Sequence, residues 1–340
     1  MKNIDYSKII SRSWYVTWKN KWLWVLGLVL AMFGAGGGGG GGGGSSSGSS
    51  TNFSDSPSGS PLPNDLKEKT SYVLGTATNY LQDWFLNVPV QNWIVLGLIV
   101  LLLAIFATVV VWVVTNWAKG ALIMGFEDAN NDKQVTLKSV SPYGLKNVKK
   151  LIIFGLLSTS ISLSVIFCIA LVIGISYLIY LVFQTLGIVL LVLMGVLGVL
   201  LFIFMVMIFT MVSIYAERLI VIKNMEPWNA WKQAFKLSKG NFFPTLVMGI
   251  INTVIGTTVG CLGIVVLLIV FSIPGFILIY PIFKNGFVIP TVPQIIMIII
   301  FFMLFFSINL MIKSIFVVFN YGNWNLFFKQ IIDNENIKNE

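Results

Sequence analysis

Few residues of this chain have the types that do chemistry, and the first pair is Glu217-Arg218, just past a long uncharged run. A carboxylate beside a guanidinium at a membrane boundary can gate or bind an ion, or it can anchor a helix at its depth. The anchor is the expectation. A second candidate is Glu127-Asp128-Ala129-Asn130-Asn131-Asp132, which opens like a calcium loop. Lys133 stands where that loop needs glycine and Ser139 where it needs the closing glutamate, so a solvated turn is expected. The third candidate is a set of hydroxyls and amides inside apolar runs: Ser158, Thr159, Ser160, Ser162 and Ser164, then Asn252, Thr253, Thr257 and Thr258. Such residues let helices approach and bond across an interface. A polar path lined by Ser160, Ser164, Asn252 and Thr257 is the alternative, although no carboxylate lies at mid-membrane to couple ions to it.

Histidine is absent, which removes the commonest general base and metal ligand. Cys168 and Cys261 both lie within apolar runs and read as small buried hydrophobes, not as a disulfide or zinc pair. The expectation is therefore a non-enzyme with no catalytic residue, no metal and no cofactor.

The remaining polar chemistry lies on surface helices. Trp228 to Phe243, wound as a helix, places Trp228, Trp231, Phe235, Ala230, Ala234 and Leu237 on one arc. Lys232, Lys236 and Lys239 fall on the other. That division suits a helix lying in the water–lipid boundary. Residues 1–21 repeat it, with Lys8, Arg12 and Lys19 opposite Ile10, Trp14 and Trp18. Leu137 to Lys150 repeats it more weakly, with Lys138, Lys146 and Lys149 opposite Val140, Gly144 and Val148. Pro142 is expected to interrupt or start that helix. These lysines and arginine, with Trp228 and Trp231, are the candidate contacts for anionic lipid headgroups or a partner.

Composition demands a membrane. Hydrophobic residues make up 56% of 340 and charged residues 10%, with mean hydropathy +0.87. Soluble domains carry about 25% charged residues. Spans are predicted near 93–117, 151–175, 187–213, 245–272 and 294–311. The uncharged run from Leu151 to Ala216 would stretch about 99 Å as one helix, so it is read as two spans with a turn between Ser176 and Gly187. Trp22 to Phe33 is short for a span. It reads as a retained span with flanking extension, with a cleaved signal peptide as the rival. Residues 36–63 form a Gly/Ser-rich flexible linker outside the membrane, and Asp65 to Val88 a further interfacial helix. Pro274, Pro281, Pro290 and Pro293 are read as punctuating an outer segment, and 320–340 as a polar tail.

Six crossings put both termini and the loops 118–150 and 214–244 on one side, with 19 of the 22 lysines and arginines. That bias assigns this side to the cytoplasm. The same layout gives basic patches beside lipid and no soluble basic domain, so nucleic acid is not an expected partner. Membrane lipids, a membrane protein or a second copy are. The fold class is then an all-α polytopic bundle of about six membrane helices with amphipathic helices on the cytoplasmic side. Three units, 1–118, 119–225 and 226–340, share one order of elements. Each returns to the inner surface with an aromatic and a small residue followed by an apolar pair: Trp117-Ala118 with Leu122-Ile123, Tyr215-Ala216 with Leu219-Ile220, Tyr321-Gly322 with Leu326-Phe327.

The run Ala216-Glu217-Arg218-Leu219-Ile220-Val221, then Pro227-Trp228-Asn229-Ala230-Trp231-Lys232 and Lys239-Gly240-Asn241-Phe242, resembles a group of bacterial membrane proteins. The group includes several six-span families and the membrane part attached to some glycerophosphodiester phosphodiesterases. Its usual signal is an Ala-Leu-Lys-Arg-Ser-Trp-like helix before Gly-Asn-Phe; Arg12-Ser13-Trp14 is near it, while Gln233-Ala234-Phe235 departs from it. The resemblance covers about 30 residues and implies a multi-pass fold in the bacterial inner membrane. It implies no activity, because without histidine the phosphodiesterase's acid–base chemistry does not carry over.

Overall fold

A computed structural model describes residues 4–33, 90–284 and 292–339. The linker at 36–63 and the helix expected over 65–88 lie outside the described residues. Those residues form eight helices and no strand: α1 (Tyr6–Lys19), α2 (Trp22–Phe33), α3 (Val90–Asn130), α4 (Leu137–Val182), α5 (Gln184–Ile222), α6 (Pro227–Gly240), α7 (Phe242–Lys284) and α8 (Val292–Asn339). Five of them, α3, α4, α5, α7 and α8, are long and apolar enough to cross a membrane. The protein is an all-α, multi-pass membrane bundle. α2, at 12 residues, is about 18 Å long and falls short of a bilayer by itself.

The chain divides into two compact units, 1–43 with 112–340, and 44–111. Of the second, the described part is the start of α3, whose large side chains from Ile94 to Val110 are exposed.

In the first unit the core is not where hydropathy peaks. It gathers at the ends of the long helices that carry the charged loops. Leu122, Ile123 and Phe126 of α3, Tyr215, Leu219 and Ile220 of α5, and Val318, Phe327 and Phe328 of α8 are buried there. Ile9 and Val16 of α1 and Ala234 and Leu237 of α6 join them. The three helices enter this core because they continue past their expected ends. α3 runs to Asn130 rather than 117, and α5 to Ile222 rather than 213. α8 absorbs residues 320–339, expected as a polar tail. α7 likewise passes through Pro274 without a break and ends at Lys284.

α4 also corrects an expectation. It starts at Leu137 behind a capping box in which the Thr136 and Ser139 side chains each accept from the other residue's backbone N–H, and it runs on through Pro142. The missing proline N–H falls near the helix start, where carbonyl pairing is lost to only one residue, Lys138. The turn expected between Ser176 and Gly187 is at Phe183, which separates α4 from α5.

The three amphipathic segments bury residues at one spacing. α1 buries Ile9, Ser13, Val16 and Thr17; α6 buries Ala230, Ala234, Leu237 and Ser238. The first turns of α4 bury Val140, Gly144 and Asn147. The second position is always small because each helix crosses a neighbour closely. A Cβ on Gly144 would stand 2.5 Å from the Trp117 carbonyl oxygen of α3. One residue decides whether each segment ends or continues. Asn20 and Asn241 each donate both the backbone N–H and Nδ2 to the carbonyl four residues back, Val16 and Leu237, and close the helix. The corresponding residue in α4 is Leu151, which has no such side chain, and the helix continues into the membrane. α1 packs on α8, α6 on α5, and the start of α4 on the end of α3.

Candidate functional site: the charged end of the bundle

At the centre of this end the chain buries charge. Lys119 Nζ of α3 donates to Glu217 Oε1 of α5 at 2.8 Å, with side chains 15% and 7% exposed. Arg218 is fully enclosed. It donates Nη1 to the Ile214 carbonyl at 2.7 Å and Nη2 to the Tyr321 carbonyl at 3.4 Å, and its guanidinium lies 5.8 Å from the Tyr321 ring. Glu217 and Arg218 are therefore not anchors in a headgroup layer. They tie α3, α5 and α8 together where water is excluded. Two cations share one carboxylate, so loss of that carboxylate would leave uncompensated buried charge.

Amides complete this centre. Asn323 Nδ2 donates to Asn252 Oδ1 at 2.7 Å, and Asn325 Nδ2 to the Ile123 carbonyl at 3.0 Å. The Tyr215 and Thr245 hydroxyls share a hydrogen bond. Asn252, a candidate for a polar path, thus spends its carbonyl on α8. Ser160, Ser164 and Thr257 stand exposed on the surfaces of α4 and α7. The structure does not bring the four together.

Around the centre lie three further contacts of one kind, each joining the end of an amphipathic segment to residues near the end of a long helix. Lys19 Nζ meets Asp132 Oδ1 at 3.1 Å, with Arg12 Nη2 at 3.5 Å from the same carboxylate. Lys150 Nζ meets Glu226 Oε1 at 3.3 Å and the Asn224 carbonyl at 3.0 Å. Asn241 Nδ2 donates to Glu335 Oε1 at 3.3 Å. Lys19 and Lys150 occupy equivalent places in their helices. The third segment has Gly240 there, so the adjacent asparagine makes the contact. The Lys19 hydrogen bond, with Arg12 beside it, holds the Asp132 carboxyl below its ordinary range. The same contact raises Lys19.

The acidic run is thus engaged rather than merely solvated. Glu127 accepts from Lys329 Nζ at 2.7 Å, Asp128 from Lys133 Nζ at 2.8 Å, and Arg12 Nε donates to Asn130 Oδ1 at 3.0 Å. Among the described residues no cluster of carboxylates, cysteines or histidines forms a metal site.

The amphipathic helices have three sides where two were expected. Small residues face the protein. Lysines 232, 236 and 239 point away from it to varying degrees, as do Lys138, Lys146 and Lys149 on α4. The aromatics form a third side. Trp228, Trp231 and Phe235 stack in a ladder with centroids 6.1 and 5.9 Å apart, and Lys232 Nζ lies 5.0 Å from the Trp228 ring. Trp14 and Trp18 of α1 are exposed, at 49% and 44%.

Two grooves lie beside these helices. One, about 870 Å³, has Lys8, Arg12 and Tyr15 of α1 on one wall and Leu326, Lys329 and Asp333 of α8 on the other. The second, about 160 Å³, lies between α6 and α5. Sequence reasoning found Lys8 and Arg12 but missed Lys119, Lys150, Asp132, Glu226 and Glu335. Setting the three amphipathic segments in one register would have shown Lys19 and Lys150 as a pair.

No protein-family model, curated protein or solved structure matches this chain.

Proposed function

We propose that the protein is a non-enzymatic scaffold of the bacterial inner membrane, with its charged end in the cytoplasm. Its amphipathic helices hold anionic lipid headgroups and present a docking face to a partner. The observation that carries this reading is the three-sided construction of α1 and α6. One side is spent on the protein, which leaves aromatics and lysines side by side, as at a lipid boundary. The distribution of 19 of 22 basic residues supports the orientation. We also propose that the unit is built from three copies of one element order, 1–118, 119–225 and 226–340, supported by the common burial spacing and the three end contacts. A permease is the weaker reading, because Ser160, Ser164 and Thr257 stand apart on exposed surfaces and Asn252 is bonded to Asn323.

Lipid capture tests the proposal. Each lysine near an anionic surface contributes about 1 kcal/mol, so replacing Lys232, Lys236 and Lys239 by glutamine should weaken phosphatidylglycerol retention by roughly a hundredfold. Equal retention by both reconstituted proteins would contradict the lipid role.

A further inference from the structure

The two grooves occupy corresponding places, and only one is filled. α6 lies on α5 as α1 lies on α8, with buried positions at the same spacing. The groove beside α6 is small because the end of α8 sits in it. Ile332 and Glu335 both line it, and Glu335 accepts from Asn241. Beside α1, the corresponding chain is the end of α3. Asp128 lies 11 residues beyond Trp117, as Ile332 lies 11 beyond Tyr321. Asp128 turns its carboxylate to Lys133 at 2.8 Å, and α3 stops at Asn130. Among the described residues no apolar side chain plugs this groove, and Ile9 and Leu326 remain along its lining.

We propose that the groove between α1 and α8 is a docking site for an acidic helical segment of a partner protein. The segment that fills the sister groove within the chain shows the shape: an apolar side chain with a carboxylate one turn on. Charge supports the same occupant. Lys8, Arg12 and Lys329 face the groove against one carboxylate, Asp333. Arg12 and Lys329 are partly engaged by Asp132 and Glu127, while among the described residues no ion pair involves Lys8. The volume of about 870 Å³ lies within the range of sites that enclose a ligand, and a helix laid in a groove is a common recognition mode. The site rests on the partner-docking part of the proposed function and is independent of its lipid part.

The test uses the full chain in nanodiscs of neutral lipid, which expose both faces, so the outcome does not depend on membrane orientation. The probe is a fluorescent peptide of residues 328–340, the segment that fills the sister groove. Polarisation should show saturable binding. Lys8→Gln with Arg12→Gln should weaken it at least tenfold, and Ser11→Trp, which obstructs the groove without removing a charge, should abolish it. Ser11 is exposed, so this variant should still fold. Absence of saturable binding, binding indifferent to Ser11→Trp, or binding that appears only with anionic lipid would each overturn the site. Phosphatidylglycerol retention by the Lys232, Lys236 and Lys239 variant is read without peptide, so either reading can fail alone.

Discussion

Ile300 and Phe327 belong to the same helix, α8. Ile300 lies in the apolar stretch and is 52% exposed; Phe327 lies near three asparagines and is fully enclosed. The same contrast runs through α3 and α5. In the most apolar window of each of the five long helices, no more than 6% of residues are buried. The difference arises from the solvent. Lipid tails are as apolar as leucine, so nothing drives one apolar span against another. At the charged end the helices leave the hydrocarbon, and burial of apolar surface is again favourable. The bundle is therefore held together at one end, as a small water-facing core from which spans extend.

The largest effect that can break this contrast is electrostatic. Glu217→Ala leaves Lys119 and Arg218 as unpaired buried cations and should cost about 3–5 kcal/mol. Ile300→Ala on the lipid face should change thermal stability in detergent far less. Adding Lys119→Met to Glu217→Ala should recover part of the loss. Equal melting temperatures for the Glu217 and Ile300 variants would show that the core is not at the charged end.

Packing gives the next effect. Gly144→Leu should cost about 1–3 kcal/mol or more, because its first added atom would meet the Trp117 carbonyl. Gly174→Ala, with nothing within 4 Å of its added atom, should be close to neutral in the same melting experiment.

The smallest effect is the pH response of the outer contact between α1 and the loop after α3. Asp132 is depressed, so its contribution is present above the ordinary carboxylate range and is lost as pH falls through its lowered value. Lys19 is raised, so its contribution is present below the ordinary lysine value and is lost as pH rises through the raised one. Amide exchange of α1, corrected for the intrinsic pH dependence of exchange, should thus show less protection in acid and at strongly alkaline pH, and with salt near neutrality. Asp132→Asn should remove the acid limb. An unchanged acid limb in that variant would assign it to another carboxylate.

Much of the fold was legible because lipid imposes simple rules. Long uncharged runs became helices, and lysine periodicity marked α1 and α6. The ends of the spans were not legible. Asn320, Asn323 and Asn325 read as a polar tail, yet Asn323 and Asn325 are buried by bonding Asn252 and the Ile123 carbonyl, partners distant in sequence. Pro142 read as a break because its depth within the first turns depends on Thr136 as the cap. Glu217 read as an anchor because its partner, Lys119, is 98 residues away. The lysine arcs were legible, but not which side of each helix met protein; that choice depends on where Ser13, Gly144 and Ala234 allow a close crossing.

Labelling of single introduced cysteines tests the central claim most directly, in intact cells and with Cys168 and Cys261 replaced. The account places the surface of α1, α4 and α6 in the cytoplasm. Lys236→Cys and Lys149→Cys should stay unlabelled by an impermeant reagent until the membrane is opened, whereas Ser60→Cys should react at once. Labelling of position 236 from outside, with position 60 protected, would contradict the shared orientation and the scaffold reading built on it.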